Sequence, residues 1–238
     1  MKEGPYQFTE FEDDKFKQAN DVYFPYMEEL KKKNIPTHEL IHQFPLFAGQ
    51  VNLARYLFFY EMYKKVVDLT GHIAEVGIWK GASFLHWAKL VTLFEPQTQT
   101  QVYGFDWFMG MDQQEETSEK KENYVGEYES LVELVKLQNL QNTALICKMD
   151  VTEEMEKFIE ERPYLRFKLL FIDCGLKDVM EACFKHMFPR LVSGGILIMD
   201  HYNNVSSPDE SDIVDRYIEG RKVLQMPFNR HSTGYIVK

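Results

Sequence analysis

The sequence has little of what marks a secreted, disulfide-stapled or membrane-spanning protein. Three cysteines occur in 238 residues, Cys147, Cys174 and Cys183; they form no CxxC pair and cannot all pair with one another. A reduced, cytoplasmic setting is the simplest expectation, with the thiols as core filler. No apolar run approaches the roughly 20 residues a membrane helix needs, the longest aliphatic stretches being 169–172 and 196–199. Basic charge is in deficit as well. Lys and Arg number 27 against 37 Asp and Glu, a formal net charge of −10, which argues against a nucleic-acid groove or an anionic membrane surface as the partner. The N-terminus turns acidic through Glu10, Glu12, Asp13 and Asp14 instead of running basic then apolar, so no signal peptide is expected. Repeats and low-complexity tracts are missing. What is present is a chain 45% hydrophobic and 14% aromatic, able to bury a sizeable core in one domain or at most two.

Two regimes follow each other along the chain. Residues 1–50 are rich in aromatics and charge, with a helical stretch from about Asp13 to Lys33 ended by Asn34 and Pro36; this reads as a helical cap or a dimerisation arm, so a homo-oligomer is an open expectation. A second helix is predicted over about 51–68, where Leu53, Leu57, Phe58, Met62 and Val66 recur at three and four. From residue 72 short apolar runs alternate with helical stretches. Strands are predicted at 72–76, 101–105, 145–149, 169–172 and 195–199, and helices at 81–94, 127–137, 153–161 and 176–189. Such alternation implies an α/β, Rossmann-like, doubly wound sheet of mostly parallel strands, because βαβ crossovers require it. Strand-like segments at 222–225 and 233–237 add a closing hairpin that places one antiparallel strand near the C-terminus. The polar stretch 112–123 reads as a long surface loop or exposed helix.

In open α/β sheets ligands bind beyond the carboxyl ends of the strands. After the first strand stands Glu75-Val-Gly77-Ile-Trp-Lys-Gly81-Ala-Ser83. Gly77 permits a tight turn and Gly81 a close backbone approach to a ligand. The spacing is not GxGxxG, and the GK[ST] of a phosphate loop is missing, so a pyrophosphate ligand and a nicotinamide-dependent oxidoreductase are disfavoured.

The stretch from Glu75 through Gly77 and Gly81 to Ser83 resembles the first motif of class I S-adenosylmethionine-dependent methyltransferases. The resemblance continues through Gly104-Phe-Asp106-Trp107, Met149-Asp150-Val151, Phe171-Ile-Asp173 and Gly194-Gly195-Ile-Leu-Ile-Met-Asp200-His201. Within that superfamily the set is similar to the macrocin O-methyltransferase group, which methylates sugar hydroxyls and generally needs a divalent metal. The resemblance implies that the glycine turn underlies the amino-acid end of S-adenosylmethionine, with Glu75 and Ser83 beside it. It implies Asp106 as acceptor for the ribose hydroxyls, with Trp107 following, and Asp150 and Val151 as the adenine contacts. Local readings stay open beside these: Asp106 as a turn aspartate, Asp150 as a helix N-cap, Ser83 as a packing residue.

Asp173 and Asp200 follow strands that lie next to each other in this fold, so they would repel unless protonated or bridged by a cation; helix capping is the rival reading. In the resembling group a third acidic residue follows Asp200, where this sequence has His201. The donor set then suits magnesium less and manganese more, unless the histidine is no ligand. A second departure is Gly175, standing where some members carry an acidic base. His201 is the replacement candidate, with Lys177 and His231 behind it. The expected acceptor is a small-molecule hydroxyl, with Trp107 and Phe108 available to stack on its ring. A non-catalytic cofactor-binding or scaffold protein of the same fold is the alternative.

Overall fold

Short apolar runs in the second half of the chain assemble into a six-stranded sheet. The computed structural model describes residues 10–110, 124–204, 207–229 and 233–238. The strands are β1 (His72–Val76), β2 (Val102–Asp106), β3 (Ala144–Lys148), β4 (Phe167–Ile172), β5 (Leu191–Met199) and β6 (Gly234–Val237), in the spatial order β3-β2-β1-β4-β5-β6. All pairings are parallel except β5 with β6. This is the expected α/β architecture, and the order reverses between β1 and β4. Of the C-terminal hairpin only β6 joins the sheet; Leu224 reaches Tyr235 through an isolated bridge.

Between the strands run α5 (Ala82–Phe94), α6 (Tyr128–Leu137), α7 (Val151–Glu160), α8 (Lys177–Ala182) and α9 (Pro208–Tyr217), preceded by α4 (Gln50–Val66). Side chains alternate across a strand, so each strand feeds two cores. Ile73, Val102, Leu169, Phe171, Ile196 and Ile198 pack with α4, α5 and α6. Ala74, Phe105, Leu170, Ile172, Leu197 and Met199 pack on the other face with α7, α8 and α9. The helix expected over 176–189 is interrupted: α8 passes into a π-turn at Cys183–Met187 and a 3-10 turn at Phe188–Arg190, where Pro189 supplies no N–H to continue an α-helix. Cys183 is fully buried among these residues, and burial holds its thiol well above the ordinary range, as core filler should be.

The chain groups into two compact units divided between Arg55 and Tyr56. In the first, α1 (Glu10–Lys32) precedes two short helices, α2 (Thr37–His42) and α3 (Phe44–Phe47). The Tyr23 hydroxyl donates to Asn52 Oδ1 at 3.0 Å, and the Tyr26 hydroxyl to the Phe47 carbonyl at 3.2 Å. The expected long loop at 112–123 lies outside the described residues, as does His231. Among the described residues no helix is long and apolar enough to cross a membrane.

Candidate functional site

Backbone hydrogen bonds run one residue beyond the carboxyl ends of the parallel strands and set the functional residues in a row. The Gly77 N–H donates to the Phe105 carbonyl at 2.9 Å, the Asp173 N–H to Val76 at 2.9 Å, and the Asp200 N–H to Ile172 at 3.1 Å. At Gly77 the backbone turns with φ +86°, and a Cβ there would meet the Asp173 carbonyl oxygen at 2.3 Å. The tight turn after β1 is therefore also a close packing of that turn on the residue after β4. Gly81 has φ +82° and initiates α5. Its close approach is to Leu131, whose side chain a Cβ would strike at 2.4 Å; the expected approach of a bare backbone to a ligand is here a packing contact with α6.

At the start of α5 no side chain caps the helix, so the amides of its first turn are open to an anionic group. Beneath it Glu75 is fully buried, and Ser83 Oγ donates to its Oε1 at 2.5 Å. An open helix N-terminus beside a buried carboxylate suits a zwitterion, one end for each charge. This is the fit that the amino-acid end of S-adenosylmethionine requires.

Asp106 is half-buried at the end of β2. Its Oδ2 accepts from the Trp79 N–H at 2.8 Å and its Oδ1 from the Phe108 N–H at 2.7 Å. Both donors have left-handed backbones, Trp79 at φ +46° and Phe108 at φ +64°, so the carboxylate braces two unusual turns. Burial pushes its pKa up, against the opposing pull of the surrounding backbone amides. Trp107 turns its indole N–H to the Gly110 carbonyl. Phe108 is only 4% exposed and meets Tyr128 edge-on; the expectation that it stacks on an acceptor ring gives way to a packing role. Asp150 does cap α7, accepting from the Thr152 N–H at 2.9 Å while Glu154 accepts from the Asp150 N–H. Val151 is buried in the first turn of that helix.

Asp173, Asp200 and His201 converge: one ligand atom from each lies within 4.8 Å of the others. Neither aspartate caps a helix, α8 and α9 being preceded by Leu176 and Ser207. Asp200 is buried, and its Oδ1 accepts from Thr233 Oγ1 at 2.8 Å, an arrangement that antiparallel β6 makes by starting beside the end of β5. His201 Nδ1 is buried without a hydrogen-bond partner among the described residues. Two carboxylates and an unsatisfied imidazole nitrogen form a donor set that fits a divalent cation of the manganese kind. Gly175 leaves no room for a base: a Cβ there would fall 2.2 Å from Ser207 Oγ. Lys177 stands at the start of α8, where its charge acts on the Glu181 carboxyl.

Sequence reasoning passed over three residues. Glu210, on α9, is 1% exposed, and its Oε1 accepts from the His201 N–H at 3.1 Å. Burial pushes its carboxyl up to about 7, with His201 pulling down and Asp200 and Asp173 adding to the rise. Trp79, inside the glycine turn, meets Tyr124 edge-on at 5.4 Å. Burial raises the Tyr124 phenol, and the charge of Asp173 raises it further.

A family model described as a methyltransferase domain matches residues 74–202, a span that holds every residue of the row from Glu75 to His201. Among solved structures the chain is similar to the calicheamicin methyltransferase CalS11, at 21% identity and a TM-score of 0.80 over 92% of each chain. The apo structure of CalS11, described as a TDP-rhamnose 3'-O-methyltransferase, superposes with a TM-score of 0.74 at 21% identity, over 92% of this chain and 94% of that one. The O-methyltransferase NovP matches at 14% identity with a TM-score of 0.66, over 78% and 79%. At these identities the likeness is one of fold. No curated protein matches the sequence.

Proposed function

The chain belongs to the methyltransferase-domain family and is an S-adenosylmethionine-dependent methyltransferase, and from that premise we propose that it methylates a hydroxyl of a sugar or sugar-containing small molecule with the help of a divalent cation. The observation that carries this reading is the convergence of Asp173, Asp200 and His201 next to the glycine turn. The sugar is suggested by the fold shared with CalS11, itself described as acting on TDP-rhamnose.

When bound, S-adenosylmethionine supplies an electrophilic methyl on a sulfonium, and the cation polarises an incoming hydroxyl. The chain's own residues do the rest. The N-terminus of α5 and Glu75 hold the amino-acid end, with Ser83 fixing the Glu75 carboxylate. Asp106 accepts from the ribose hydroxyls alongside the backbone amides that already converge on it. Asp150, at the end of β3, has its second oxygen for the adenine amino group, and Val151 has its N–H. Trp107, Trp79 and Tyr124 form the aromatic surroundings from which water is displaced. Asp173, Asp200 and His201 hold the cation, and fixing the acceptor oxygen in line with the methyl provides most of the acceleration by orientation. Residues 1–50 serve as a helical cap or a dimer arm.

The test is metal uptake and turnover together, with S-adenosylhomocysteine release as the assay on a panel of nucleotide sugars. His201→Ala is expected to weaken manganese binding and lower turnover while keeping cofactor affinity, and His201→Asp to shift preference toward magnesium. Full turnover after exhaustive chelation would overturn the cation. Wild-type manganese affinity in His201→Ala, with turnover lost, would make the imidazole a proton acceptor instead of a ligand.

A further inference from the structure

The turn that carries Asp200 and His201 is held almost residue by residue from α9. The His201 N–H donates to Glu210 Oε1 at 3.1 Å, the Asn203 N–H to Ser211 Oγ at 2.8 Å, and the Tyr202 hydroxyl to Asp215 Oδ1 at 3.1 Å. The Ser207 N–H, just before the helix, closes back on the Asn204 carbonyl at 3.1 Å. Of these partners Glu210 is the costly one. It is 1% exposed, and its second oxygen, Oε2, is buried with no hydrogen-bond partner among the described residues. A serine or an amide would satisfy one N–H without burying a carboxylate beside two aspartates.

We propose that Glu210 is a positioning residue for the candidate cation site, fixing the His201 main chain so that the imidazole and the Asp200 carboxylate keep their places opposite Asp173. The inference rests on the cation reading above and adds the device that shapes the site. Glu210 acts through the hydrogen bond of Oε1, which sets where residue 201 leaves the strand. His201 Nδ1, buried and unpartnered, has no side-chain hydrogen bond there to orient the ring, so its direction depends on the backbone that Glu210 holds.

Two readouts on the full chain test this: manganese affinity from the electron paramagnetic resonance of free Mn(II), and hydrogen exchange of the peptide covering 199–204. Glu210→Ala and Glu210→Asp, which remove or retract the acceptor, are expected to bind Mn(II) roughly 10- to 100-fold more weakly and to exchange faster at 201. Glu210→Gln keeps an acceptor at the same reach, so it should preserve the exchange protection and stay within about threefold of the wild-type affinity. Measured without added cation, the cofactor affinity of all three should be unchanged. If Glu210→Ala fails to fold, the Asp and Gln variants decide the matter. Wild-type affinity and exchange in Glu210→Asp would overturn the proposal, as would a Glu210→Gln variant that loses as much as Glu210→Asp. Should the wild type take up no Mn(II), the cation reading falls, and exchange alone decides: faster exchange in Asp but not in Gln upholds the positioning role, and equal exchange refutes it.

Discussion

Asp106 shows how one side chain can serve the fold and the ligand together. Its two oxygens already accept from Trp79 and Phe108, both in left-handed conformations, a backbone region that costs a non-glycine residue on the order of 1 kcal/mol or more. Removing the carboxylate frees the glycine turn and, on the proposed function, takes away the ribose acceptors as well. Asp106→Ala is expected to weaken S-adenosylmethionine binding by roughly 2 to 4 kcal/mol, at about 1 to 2 for each lost pairing. Asp106→Asn retains one acceptor and should lose less. Calorimetric titration of both variants checks this, and an unchanged affinity in Asp106→Ala would remove the ribose role. The choice between ligand contact and turn aspartate was open in the sequence because both readings call for the same residue at a strand end. The structure displays the turn contacts, and the ribose role stays with the proposed function.

Among the elements, the strands were the most legible. β1 falls on the predicted residues and β2 and β3 within one of them, because each is a short apolar run bounded by polar or glycine residues. β5 extends to Leu191, four residues before its prediction; Ser193 and Gly194 interrupt the apolar pattern, Gly194 turns with φ +78°, and the pairing with β4 shifts register across this stretch. α9 was not read at all. Its start signal, Ser207-Pro208-Asp209-Glu210, is a good one, but only Ile213, Val214 and Ile218 are apolar anchors in the core there, too sparse a stripe beside so much charge. Glu210 went with it, and a buried glutamate cannot be told from a solvated one by type. Lys168 is the same lesson inside a strand. It lies fully buried on β4, with Nζ 2.7 Å from both oxygens of Glu95 at the end of α5. The Tyr63 hydroxyl of α4 joins them at 2.7 Å. Burial alone would push the Glu95 carboxyl up, but Lys168, Thr100 and Tyr63 outweigh it and hold it below the ordinary 4.5. A depressed carboxyl adds stability above its unfolded value and loses it as pH falls through the folded one. Lys168→Met leaves that carboxylate buried and unpaired, and should cost about 3 to 5 kcal/mol near neutral pH. Because a protonated Glu95 needs no partner, the deficit should shrink as pH drops toward 4. Urea unfolding of both proteins across that range measures it, and a pH-independent deficit would contradict the account.

At the scale of the whole molecule, the reversal of strand order between β1 and β4 decides where chemistry can occur. The glycine turn leaves β1 at that point, and the carboxylate row begins across it at Asp173, so cofactor elements and cation elements grow from neighbouring strands. What lies between them is the contact of Gly77 with the Asp173 carbonyl, too tight to admit a single added carbon. A side chain at residue 77 would have to displace the Asp173 carbonyl, and this has a thermodynamic reading. Where two ligands settle on either side of one contact, any coupling free energy between them is reciprocal. Whatever factor a saturating divalent cation applies to S-adenosylmethionine affinity, saturating cofactor must apply to cation affinity. Titrations run in either order on the same protein should return one factor, different from unity. Gly77→Ala, which forces the contact apart, should weaken both ligands together, making the turn after β1 a point of cooperativity between the two halves of the site.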